Sequence, residues 1–167
     1  PDLLDGKNPR SINMVQIGKA LNDKELDPPI KHLFVWNSDV ANCTPDSSQV
    51  RKGLQRKDLF TVVHDTFWTD SCMYADVVLP ADTQLEHTDL HAPYGHYYFS
   101  LTQQAIKPLG ESKSNQDLFR DLAKHMGYKE KCFKETDESM IKNMIDPKHN
   151  PLFKGCLLYT SDAADED

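Results

Sequence analysis

Three short apolar runs constrain this chain more than anything else in it. His32-Leu33-Phe34-Val35-Trp36, Leu59–Val63 and Asp76–Leu79 are each of strand length, and each halts at a polar residue or a proline. Two of them are too apolar for burial on one side only, which is the pattern of parallel strands covered on both faces. Helical spacing fills the gaps. Residues 11–23 carry Ile12, Met14, Val15 and Leu21, with Ser11 as a candidate N-cap, until Pro28-Pro29 breaks the run. Asp46 or Ser47 then opens a helix through Val50 and Leu54, after a segment, 37–46, that reads as loop. The alternation predicts an α/β chain with a doubly wound, mostly parallel sheet.

Past Pro80 the text changes. Pro93, Gly95 and a Tyr/His cluster predict a long loop, with a short strand over Tyr97–Leu101. In "GESKSNQDLFRDLAKHMG" Leu118, Phe119, Leu122 and Met126 share one helix face, and Gly127 stands where a left-handed cap belongs. Thr136 caps a last helix through Met140, Ile141 and Met144.

The two ends differ in kind from the middle. "CLLYTSDAADE", residues 156–166, reads back into DNA as the transposon-end adapter of sequencing libraries, so 156–167 is taken as a translated tail and left out of fold reasoning. The first residues, Pro1–Gly6, have no initiator Met and look like the middle of something longer. Without the four acidic residues of the tail, the formal charge falls from −7 to −3, which argues against a nucleic-acid surface built on bulk charge. Cys43, Cys72 and Cys132 remain, odd in number and without CxxC pairing, so neither a disulfide framework nor a zinc site is expected. No run approaches the roughly 18 apolar residues of a membrane span.

The residues just beyond the strands carry the chemistry. In an open parallel sheet, ligands bind past the carboxyl ends of the strands. Those ends deliver Asn37-Ser38-Asp39, then His64-Asp65-Thr66, then the Glu86-His87 region. A carboxylate such as Asp65 can accept two parallel hydrogen bonds from the N1–H and the exocyclic amine of guanine, which adenine cannot offer. The same Asp is also an ordinary turn former or helix cap. Side-chain amides such as Asn37, and helix N-termini, hold phosphate without net positive charge. His87, His91 and His96 with Glu86 and Asp89 sit at spacings that match no metal-ligand motif. GxSxG, GxGxxG and P-loop patterns are absent, so Ser/His/Asp catalysis and nicotinamide or ATP binding lose their main signal.

"INMVQIGKAL…DPPIKHLFVWNSDVANCTPD", "DLFTVVHDTFWTDSCMYADVVLPADTQLEHTD" and "PLGESKSNQDLFRDLAKHMG" together resemble the catalytic subunits of molybdopterin oxidoreductases, the dimethyl sulfoxide reductase superfamily, in its prokaryotic, soluble branch. The resemblance implies a Rossmann-like region over 1–148 that binds a guanine dinucleotide, with 149–155 as linker. It implies a molybdenum bis(molybdopterin guanine dinucleotide) cofactor, whose guanosine end this region grips. Asn37 and Ser38 would contact it, His64 and Asp65 would meet guanine and ribose, His87 would replace a Lys near the nucleotide, and Asn115 would reach it from a helix start. One departure stands out: Asp39-Val40 replaces the family's usual Asn-Pro, and a carboxylate there repels phosphate unless it points away. A 4Fe-4S cluster, the molybdenum ligand and the substrate funnel would belong to missing parts of a longer parent. The implied partners are the pterin, the rest of the subunit and electron-transfer subunits. The implied compartment is cytoplasmic, with periplasmic as the alternative. The rival reading is a cofactor-free structural subunit of a respiratory complex that keeps the fold.

Overall fold

The computed structural model describes Gly6, residues 8–95, 98–149 and 151–154. The tail at 156–167, most of the N-terminal hexapeptide, His96 and the start of the expected strand at Tyr97 lie outside the described residues. Two compact units are present, Pro1–Asp82 with Gly110–Ser112, and Thr83–Leu109 with Lys113–Asp167. The division falls just after Pro80, where the sequence changes character.

The first unit is built on three parallel strands: β1 (His32–Trp36), β2 (Phe60–Asp65) and β3 (Val77–Pro80), in the order β1-β2-β3. Register pairs Val35 with Val63 and Val63 with Val78, so these side chains share one face. Three helices belong to the same unit: α1 (Ile17–Asn22), α2 (Val40–Cys43) and α3 (Ser47–Leu54). Val35, Val63 and Cys72 form one buried cluster. Leu21, Ala41, Val50, Leu54 and Leu59 form a second, and Leu33 and Val40 pack against both, joining sheet to helices. On the alternate face Val62 and His64 are buried, while Trp36, Phe60 and Val77 keep 48%, 49% and 38% of their surface exposed. His32 stacks on Phe60 there at 5.8 Å.

Helix starts differ from expectation at one place. Asn13, not Ser11, accepts from the Val15 N–H and opens a 3-10 turn, Met14–Gln16, that runs into α1. Asp46 caps α3 as expected, from a left-handed backbone. The segment read as loop holds α2, a single turn too short to show periodicity. Two glycines decide how closely α1 and α3 approach. A Cβ on Gly53 would stand 2.5 Å from the Leu21 Cβ, and one on Gly18 3.0 Å from the Gln49 Cβ. Neither contact can relax by moving a side-chain tip.

The second unit holds a small antiparallel pair, β4 (Asp89–His91) and β5 (Ser100–Thr102), with α4 (Asn115–His125) and α5 (Asp137–Met144). Ser114 caps α4 by accepting from the Asp117 N–H, Thr136 caps α5 through Ser139, and Gly127 follows α4 at φ +81°. Arg120 on α4 bonds Asp117 and Asp137, which ties α4 to the first turn of α5. Among the described residues no helix is long and apolar enough to cross a membrane.

The glycine contact gives a direct test. Gly53→Ala should destabilise the protein by about 1–3 kcal/mol through overpacking, read as a lowered Tm. An unchanged or raised Tm would contradict the close crossing of α1 and α3.

Candidate functional site

Parallel pairing brings the ends of the three strands level. Trp36, His64 and Leu79 form the last complete row, and Asp65 pairs with Pro80 one step beyond. Asn37 turns the chain off β1 with φ +49°, its N–H donating to the His64 carbonyl at 3.3 Å. A left-handed asparagine is tolerated because its short amide side chain relieves part of the cost. Four of the residues singled out in the sequence, Asn37, Ser38, His64 and Asp65, therefore gather at one carboxyl edge.

Each has a distinct setting. Asn37 is exposed, Ser38 and Asp65 are half-buried, and His64 is fully buried. The Asp65 Oδ1 accepts from the Phe67 N–H at 3.1 Å, and its carbonyl accepts from Ala81. The turn-forming role and a binding role are compatible, because one lone pair makes the turn and Oδ2 takes no part in it. The imidazole of His64 lies with Nδ1 3.1 Å from the Leu79 carbonyl. A carbonyl only accepts, so Nδ1 carries a proton and donates it. The Nε2 of the same ring is buried without a hydrogen-bond partner among the described residues.

His87 and Asn115 belong to the second unit and are described on their own. The Nε2 of His87 lies 3.9 Å from the Asp89 Oδ2, just ahead of β4. Asn115 is the first residue of α4, behind the Ser114 cap. Glu86, next to His87, is a buried local fastener. Its Oε2 accepts from the Thr83 N–H at 2.7 Å and its Oε1 from the Leu109 N–H at 2.8 Å. Those bonds, the one from Thr83 first, hold its pKa below the ordinary carboxylate value of 4.5. Among the described residues no three His, Cys, Asp or Glu side chains gather closely enough to hold a metal ion.

Sequence reasoning missed the residue that organises the edge. Ser71 lies in the 3-10 turn Asp70–Tyr74 between β2 and β3 and is 1% exposed. Its N–H and hydroxyl both donate to the Asp39 Oδ1, at 3.1 and 2.7 Å, and its hydroxyl accepts from the Ala41 N–H at 3.1 Å. A serine among Thr, Asp and Cys carries no spacing signal, and only the fold shows that it bridges two strand-end loops.

Residues 9–125 match the molybdopterin oxidoreductase family. The chain belongs to that family. It is 48% identical over 151 residues to the probable oxidoreductase YoaE of Bacillus subtilis (strain 168), a match that takes in 90% of this chain and 22% of that protein. It is 28% identical over 131 residues to trimethylamine-N-oxide reductase 1 of Escherichia coli (strain K12), covering 75% of this chain and 15% of the reductase. Among solved structures, acetylene hydratase from Pelobacter acetylenicus superposes with a TM-score of 0.67 at 28% identity, over 85% of this chain and 20% of the hydratase. This family member thus spans about a fifth of the length of relatives such as these. Membership of the family implies a molybdenum–pterin cofactor.

Glu86 gives a pH prediction. A folded pKa below the unfolded one means stability present above about 4.5 and lost as pH falls through the lowered value. Amide-exchange protection at Thr83 and Leu109 should fall on acidification across that window. Glu86→Gln should be less protected at neutral pH and flatter with pH. Protection unchanged by acid would remove Glu86 from this role.

Proposed function

We propose that this chain is a segment of a molybdenum-dependent oxidoreductase catalytic subunit, and that its strand edge binds the guanosine end of a molybdopterin guanine dinucleotide. The observation that carries the reading is Asp65: a half-buried carboxylate on the last residue of the central strand, held in place by its bond from Phe67. Two carboxylate oxygens at fixed spacing suit the paired N–H donors of guanine. The orphaned His64 Nε2 supports it from the row below, since a buried polar atom without a partner beneath a ligand edge favours a hydrogen-bonding ligand or its ordered water. Asn37 and Ser38, on the exposed turn after β1, serve the phosphates. His87 and Asn115, in the second unit, are the remaining nucleotide contacts of this reading.

The residues present fit such a group. The cofactor, when bound, supplies two-electron or oxygen-atom transfer at molybdenum, while this segment orients the nucleotide and anchors it. No side chain in the segment is assigned to the reacting metal. The 4Fe-4S cluster, the metal ligand and the contacts with electron-transfer subunits lie in the remainder of the parent. The names of the relatives run from a reductase to a hydratase, so the choice of reaction belongs to that remainder as well.

The test is Asp65→Asn in the full-length protein. An amide in place of the carboxylate loses one acceptor and sets its own donors against those of guanine, a loss of about 1.5–3 kcal/mol. Guanine nucleotide released by acid per polypeptide, after exhaustive buffer exchange, should fall markedly. Wild-type nucleotide content in the variant would take Asp65 out of the role.

A further inference from the structure

A carboxylate beside a loop that meets phosphate is an electrostatic conflict, and Asp39 comes two residues after Asn37. The hydrogen bonds resolve it. Both donors of Ser71 converge on one oxygen of Asp39, and the single hydroxyl proton is used in doing so. The same hydroxyl oxygen is thereby oriented to accept from the Ala41 N–H. Arg51 holds the other side of that peptide region, its Nε donating to the Ala41 carbonyl at 3.0 Å while Nη2 reaches the Asp70 Oδ2 at 3.0 Å. Asn37 is pinned at the opposite end by its N–H on the His64 carbonyl. Residues 37–41 are therefore tied at both ends, to β2 and to the β2–β3 connection.

We propose that Asp39 and Ser71 are positioning residues, in which Asp39 acts as a hydrogen-bond acceptor and not as a charge, and their pairing holds the Asn37-Ser38 turn in the shape that meets the phosphates of the nucleotide cofactor. The proposal rests on the guanine-nucleotide reading of the edge. It has an unusual consequence. An Asn at position 39 keeps the accepting oxygen and removes the charge, so Asp39→Asn should be harmless where Asp39→Ala is not.

The experiment tracks loss of guanine nucleotide from the loaded full-length protein after dilution, with circular dichroism confirming the fold of each variant. Asp39→Ala and Ser71→Ala should each speed the loss roughly fivefold, the effect of one net hydrogen bond between uncharged partners. Their double variant should lose nucleotide more slowly than the product of the two single effects, because both break the bond from the Ser71 hydroxyl to Asp39 while each also loses one bond of its own. Asp39→Asn should stay within about twofold of wild type. A wild-type rate in both alanine variants overturns the proposal, as does fast loss from Asp39→Asn, which would make the charge itself the working feature. If the alanine variants do not fold, fast loss from Asp39→Asn still overturns the proposal, and Ser71→Cys, a far weaker hydrogen-bond donor, takes the place of Ser71→Ala as the variant expected to lose nucleotide faster. Asp65→Asn in the same assay separates the two claims: fast loss there with normal Asp39 and Ser71 variants defeats the positioning role only, whereas normal loss there defeats the base-reading role.

Discussion

Parallel pairing of β2 with both neighbours is the constraint that shapes everything else in the first unit. It places Trp36, His64 and Leu79 in one row, and it sends every strand out at the same edge. Antiparallel pairing of the same segments would scatter Asn37 and Asp65 to opposite ends. Because a parallel neighbour needs a crossover, the chain must return behind the sheet after each strand. Those returns are α2 and α3 after β1 and the 3-10 turn after β2. The crossovers therefore do two jobs: they bury Val35 and Val63, and they carry Asp39 and Ser71 to where the loops can be joined.

Much of this was legible in the residues. The apolar runs located all three strands to within a residue or two, although burial on both faces was not met throughout, since Trp36, Phe60 and Val77 keep much of their surface exposed. The caps at Asp46, Ser114 and Thr136, and the glycine at 127, marked helix boundaries because their chemistry is local. What stayed hidden is what depends on contact. Gly18 and Gly53 read as weak helix formers, and only the crossing of α1 on α3 shows why a Cβ is excluded. The turn Val40–Cys43 is too short to carry a period. Glu86 stood out as one of a run of polar residues, but its bonds to Thr83 and Leu109 make it a fastener of its own loop.

The candidate site was partly legible for the same reasons. Asn37, Ser38, His64 and Asp65 are found by looking at the last residue of each strand and the turn after it, and the structure places them at one edge. Ser71 could not be found that way, since it lies inside a connection, six residues past Asp65. The mismatch at Asp39 was visible as a departure from the family pattern, while its resolution required a partner 32 residues away. Local chemistry announces itself in sequence; long-range hydrogen bonds do not.

A crystal structure of the full-length protein with its cofactor bound would test, at atomic level, the proposal that the strand edge reads a base. The expected finding is a guanine ring whose N1–H and exocyclic amine both point at the Asp65 carboxylate, with phosphate beside the Asn37-Ser38 turn. A nucleotide bound away from the carboxyl ends of β1 and β2, or a guanine edge met by other side chains, would contradict it.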